Sequence, residues 1–262
     1  MGIIGAGFGL GFIFGPAVGG VLSTYGYGFP ALAAAALASL NGFLAFLLLQ
    51  EPQISSEIRS ANRHKRFDFA AIRKTLDRTA TRNVVLIFFV VTLAFTQLEA
   101  SFALFMFERF SYNARQSGYL LGYMGVIMVL LQGGAVHRLA KRWGESSLSI
   151  SGCLMMAIGL ILISYTNTIN AALIAMTFVA LGNGLNNPSL MSLISKAAPA
   201  QERGAVMGVY QSAGSLARVF GPPMAGYLFD NLKLTAPMIS SALLMIGAAV
   251  LGSQWLPKKL AK

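Results

Sequence analysis

Eight runs of roughly twenty predominantly apolar residues follow one another along a chain of 262, and no other feature of the sequence limits the fold so tightly. They cover about 1–23, 30–50, 84–107, 117–136, 147–165, 171–193, 206–228 and 236–256. A bilayer core of about 30 Å takes about 20 apolar residues as a helix, and lipid offers no partner to an unpaired backbone group. Breakers part the runs: Tyr25-Gly26-Tyr27-Gly28, Thr166-Asn167-Thr168 and Asp230-Asn231. Residues 1–50 contain no Asp, Glu, Lys or Arg at all. Only 11% of the chain is charged, against about 25% in a soluble domain, which excludes an ordinary soluble enzyme and a disordered chain. The fold class predicted is all-α integral membrane.

The net charge of +11 suggests a nucleic-acid binder until the charges are located. Segments 51–82, 137–146, 195–204 and the tail after Trp255 hold sixteen Lys and Arg; the opposite loops hold three, Arg109, Arg115 and Lys233. That asymmetry places both chain ends and the long loop in the cytoplasm, and leaves a nucleic-acid partner nothing to explain. The first run has no charged flank and no cleavage-site pattern, so it reads as a span and not as a secretory signal. Within the long loop Phe69, Ile72 and Leu76 share one helical face beside Arg73, Lys74 and Arg78. This predicts either a short amphipathic helix at the cytoplasmic interface or a solvated linker.

Sliding the chain by 206 positions aligns Met1-Gly2 with Met207-Gly208, Phe14-Gly15-Pro16 with Phe220-Gly221-Pro222, and Gly20 with Gly226. Spans one and two therefore repeat as spans seven and eight in the same orientation, a plan used by secondary transporters. With a six-helix repeat unit, the complete molecule would have twelve spans.

Gly2, Gly11, Gly15-Pro16 and Gly19-Gly20 have the spacing G-x8-G-x3-G-P-x2-G-G. This resembles the antiporter motif in the fifth helix of major facilitator superfamily drug–proton antiporters. Residues 208–223 look like helix eleven of the tetracycline-resistance-like branch. Gln132-Gly133-Gly134 with Arg138, Lys141, Arg142 and Gly144 resembles that branch's cytoplasmic loop motif, with His137 where Gly is usual and Lys141 where Asp is usual. The resemblance implies eight transmembrane helices equivalent to helices 5–12 of the twelve-helix fold. Residues 1–50 would be the last two helices of the N-terminal bundle, 51–82 a basic cytoplasmic linker, and 83–262 the C-terminal six-helix bundle.

The residues that suggest chemistry lie inside spans. Glu99 is a carboxylate at membrane depth, with Thr92 and Thr96 at i−7 and i−3. Such a group is protonated or paired, so it reads as a proton-coupling group on a wet cavity wall or as one half of a static ion pair. Arg218, near the middle of span seven, shares a face with Gln211 and Ser215 and suits anchoring a carboxylate or an anion. In span six, Asn183, Asn186 and Asn187 line a cavity or join helices. Gly7, Gly11, Gly15 and Gly19 form a smooth face, bent at Pro16, for generic packing or for contact at the boundary between halves.

Cys153 sits in an apolar run and reads as packing, and neither His64 nor His137 has a triad or ligand set around it. No catalytic residue, cofactor or metal site is expected. The implied function is proton-coupled efflux of a small drug-like molecule by alternating access, in a bacterial inner membrane. The partners are the bilayer, protons and the substrate. The alternatives are a metabolite symporter and a truncated, non-transporting membrane protein.

Overall fold

The computed structural model describes residues 11, 14–26, 28–48 and 69–257. Gly2, Gly7, His64, most of the basic linker and the last five residues lie outside them. A helix over 14–22 (α1) runs into a 3₁₀ turn, Ser23–Tyr25, and leads to α2, Gly28–Leu48. Between them Gly26 adopts φ +134°, which a residue with a Cβ rarely enters. The remaining helices are α3 (Phe69–Asp77), α4 (Thr79–Phe110), α5 (Ala114–Leu130), α6 (Val136–Trp143), α7 (Glu145–Tyr165), α8 (Ile169–Ala197), α9 (Arg203–Asn231) and α10 (Ala236–Trp255). Helices start where caps allow. Asn113 and Gln116 form a reciprocal capping box on α5, and the Thr168 side chain accepts from Ala171 N at the start of α8.

Six helices among the described residues are long and apolar enough to cross a membrane: α2, α4, the continuous α5–α6 rod, α7, α8 and α10. Helix α9 is as long as α8, but Gln211, Arg218 and the Pro222-Pro223 pair lower its hydropathy. Residues 137–143, expected as loop, are helical. After a π-turn over Leu131–Ala135, α6 continues α5 until Gly144, at φ +81°, ends it. Nothing between Val136 and Trp143 breaks a helix, and Lys141 and Arg142 favour its negative C-terminal end.

The core lies between α4, α7, α8, α9 and α10, where Phe102, Phe105, Met156, Leu160, Met176 and Met245 are fully buried. Lipid is as apolar as leucine, so these helices associate through close packing and not through expulsion of water. Small residues allow that packing. A Cβ built on Gly182 of α8 would lie 2.5 Å from the Gly152 carbonyl of α7, and one on Gly221 of α9 would collide with Thr96 of α4. Helix α2, by contrast, buries none of its residues.

Charged side chains secure the ends of the bundle. Glu202, just before α9, accepts from Lys74 at 2.6 Å and Arg78 at 2.7 Å, which holds α3 against the bundle. Glu145 pairs with Lys196 and accepts from Ser192, joining α7 to α8 at the same end. At the opposite end Arg109 donates to Thr166 O (3.0 Å) and Asn167 Oδ1 (2.6 Å). The expected amphipathic helix is therefore present as α3. Its buried edge is Thr75 with Leu76 beside it, whereas Ile72 is exposed, because α3 rests on α4 and α9.

Candidate functional site

Helices α4 and α9 set the site, so their register comes first. Phe88 stacks on Tyr210 with ring centroids 3.8 Å apart and fills the space left by Gly214. Eight residues on, Thr96 fills the space left by Gly221 and reaches Ala217 O at 3.4 Å. Both contacts advance together along the two chains, so the helices run parallel. Thr96 also donates to Thr92 O at 2.9 Å, keeping its hydroxyl satisfied inside the seam.

One side of this pair is polar and open. Glu99 on α4 and Gln211, Ser215 and Arg218 on α9 are all exposed there. Glu99 stands about 16 Å from the Phe110 end of α4 and Arg218 about 20 Å from the Asn231 end of α9, taking 1.5 Å per residue. Both groups are thus at membrane depth. Charged groups there face a bundle interior or a water-filled cavity, not lipid. Glu99 and Arg218 carry opposite charges. No direct ion pair joins them among the described residues.

Thr92 and Thr96 do not share this open face. Both are buried in the α4–α9 seam, because α9 covers their edge of α4 and glycines let it approach. The asparagines of α8 divide as well. Asn186 is fully buried between α7 and α8, with its amide 2.8 Å from Ser149 Oγ. With the amide nitrogen turned toward Ser149 and the oxygen accepting from Cys153 N at 3.0 Å, both ends are satisfied. Asn183 is buried with its amide 3.8 Å from Met128 Sδ, and Asn187 is exposed. Interhelical joining describes Asn186, the second of the two readings open from sequence. Cys153 is buried beside it, as expected.

In the glycine motif, Gly11, Gly15 and Gly19 have nothing within 4 Å of a built Cβ. The contact runs along the neighbouring stripe, Pro16 and Gly20, which meets Gly118 at the start of α5. A Cβ on Gly118 would lie 2.5 Å from Pro16 O. Arg138, Lys141 and Arg142 are exposed along α6. One polar residue went unnoticed in the sequence: Gln97 is fully buried on α4, with neither amide atom paired. Its position two residues before Glu99, on the opposite face of α4, was the available signal.

Long apolar helices around a polar face at membrane depth define a multi-pass helical membrane protein. Residues 1–222 and, overlapping them, 139–262 match the Major Facilitator Superfamily, and the chain belongs to that family. It is 26% identical over 260 residues to solute carrier family 22 member 18 of Mus musculus, covering 97% of this chain and 64% of that protein. It is 28% identical over 221 residues to the class C tetracycline resistance protein of Escherichia coli (84% and 55%). It is 26% identical over 264 residues to multidrug resistance protein 2 of Bacillus subtilis strain 168 (99% and 64%). The chain thus spans 55–64% of the length of these relatives. Among solved structures, the human organic anion transporter MFSD10 (TETRAN) superposes with a TM-score of 0.63 at 22% identity, over 66% of this chain and 40% of that one, which is a likeness of fold.

Proposed function

We propose that this chain forms the larger part of a secondary transporter that exports a small drug-like molecule in exchange for protons. The carrying observation is a carboxylate and a guanidinium on one open face of the parallel α4–α9 pair, both at membrane depth. Glu99 is the group that takes and gives the proton, and Arg218 with Gln211 and Ser215 receives substrate. Similarity to proteins named for tetracycline and multidrug resistance supports the direction of transport. Residues 83–262 form one bundle, 1–50 belong to the other, and 51–82 link them on the cytoplasmic side, with both ends of the chain in the cytoplasm of a bacterial inner membrane. The sixteen-to-three distribution of Lys and Arg supports that orientation. The bundles rock about the polar face, exposing it to each side in turn.

The test is proton flux in everted membrane vesicles. After acidification of the lumen, a transported drug should partly collapse the pH gradient, and Glu99→Gln should abolish the collapse while folded protein is still recovered in the membrane at wild-type yield. Vesicles that respond no more than protein-free controls across a drug panel would reject the proposal in favour of a non-transporting membrane protein.

A further inference from the structure

The two charges on the open face are opposite, accessible and apart. The Arg218 backbone is level with Thr96, since Thr96 packs between Ala217 and Gly221, and its guanidinium turns back one helical turn, with Nη1 3.6 Å from where a Cβ on Gly214 would stand. Glu99 lies three residues further along the parallel helix α4, a backbone offset of about 5 Å that the turned-back guanidinium widens. Neither group makes a side-chain hydrogen bond or a direct ion pair with another described residue, although each is exposed. A guanidinium cannot escape this by losing its proton, and an unpaired charge at membrane depth is expensive. A ligand with a single negative group satisfies Arg218 and leaves a carboxylate beside its own charge. One with a single positive group does the reverse.

A molecule carrying both groups, several ångströms apart, answers both charges at once. We propose that the substrate of this site is zwitterionic: its carboxylate or sulfonate sits on Arg218 beside the Gln211 amide, and its protonated amine sits on Glu99. This rests on the transport reading above and narrows it to a substrate class. Gln211 lies two turns from Arg218 on the same stripe and offers amide hydrogens to the anionic group. The Ser215 hydroxyl donates to Gln211 O at 3.1 Å, which leaves its oxygen free to accept.

The test is binding, measured separately from transport. The protein in lipid nanodiscs is titrated with three related fluorescent probes: a fluoroquinolone with a free carboxylate and a protonated piperazine, its ethyl ester, and its N-acetyl derivative. These are a zwitterion, a cation and an anion on one aromatic frame. The zwitterion should bind at least about tenfold tighter than either derivative, as expected for loss of one charge-assisted contact. Arg218→Gln should erase its advantage over the ester, and Glu99→Gln its advantage over the N-acetyl form. Arg218→Lys and Glu99→Asp, which keep the charges, should retain part of each. Equal affinity for the three probes, tighter binding of a singly charged one, or no binding of the zwitterion overturns the proposal. Charge-selective binding without proton flux in vesicles would sink the transport reading alone. Proton-coupled transport without charge selectivity would sink the zwitterion alone.

Discussion

Adding one methyl group to Gly182 should force α7 and α8 apart. The new Cβ would lie 2.5 Å from Gly152 O, 2.5 Å from Met156 Cγ and 2.7 Å from Met156 N. Two of these three are backbone atoms of the facing helix, so no rotamer change relieves them. Ordinary contact requires the helices to separate by roughly 1 Å, and a gap of that size forfeits about a quarter to a half of the dispersion energy of the atoms it parts. The seam is long: Gly159, about two turns beyond Gly152, meets Ala175 O and Val179 N, and Asn186 crosses it to Ser149 and Cys153. Overpacking of this kind costs about 1–3 kcal/mol, and the low end already shifts an unfolding equilibrium about fivefold. The assay is reversible unfolding of the purified protein in mixed micelles, followed by circular dichroism. Gly247→Ala serves as control, since a Cβ there meets nothing within 4 Å. Gly182→Ala unfolding together with wild type and Gly247→Ala would refute the seam as described.

Three further outcomes follow from named contacts. Asn186→Ala should destabilise the protein, and a double-mutant cycle with Ser149→Ala should give a coupling of about 0.6 kcal/mol, the usual size for an interhelical hydrogen bond in a membrane; zero coupling would remove Asn186 as the join. Hydrogen bonds from Lys74 and then Arg78 hold the Glu202 carboxyl below its ordinary range. A depressed pKa stabilises the folded state above the unfolded carboxylate value and is lost as pH falls through the folded one. Protection factors of the α3 amides, corrected for the intrinsic exchange rate at each pH, should therefore fall only on acidification below the ordinary carboxylate range, and Glu202→Gln should bring the lower protection to neutral pH. In a background lacking Cys153, a cysteine at Asn113 should react with an impermeant thiol reagent in intact cells while one at Glu145 should be protected; equal labelling would reverse or void the assigned orientation.

Element existence was legible because transmembrane helices must satisfy their own backbone and must be long, so apolar run length carries the signal. The basic run after Val136 reads as loop by its charge, but charge marks a polar environment and not the end of a helix, and α6 stays wound through it. Gly144 was the stop signal. The site was half legible. The depth of Glu99 and Arg218 and the polar stripe Gln211–Ser215–Arg218 follow from position and from 3.6-residue periodicity, which are properties of single helices. Periodicity ranks the faces of a helix without saying which neighbour covers each. Thr92 and Thr96 lie on the stripe of Glu99 by spacing, yet α9 covers them, because Gly214 and Gly221 are on another element more than a hundred residues away in sequence.

The sequence by itself determined that this chain is a helical membrane protein, where its long apolar helices run, and which few charges fall inside the apolar runs. Each of those is set by the hydrophobicity of consecutive residues, a local quantity. The tertiary structure alone decided that Asn186 joins α7 to α8, that the glycine motif meets α5 through Pro16 and Gly20, and that Glu99 and Arg218 face one opening without closing on each other. Those outcomes depend on how closely distant backbones approach, which only the packed helices fix.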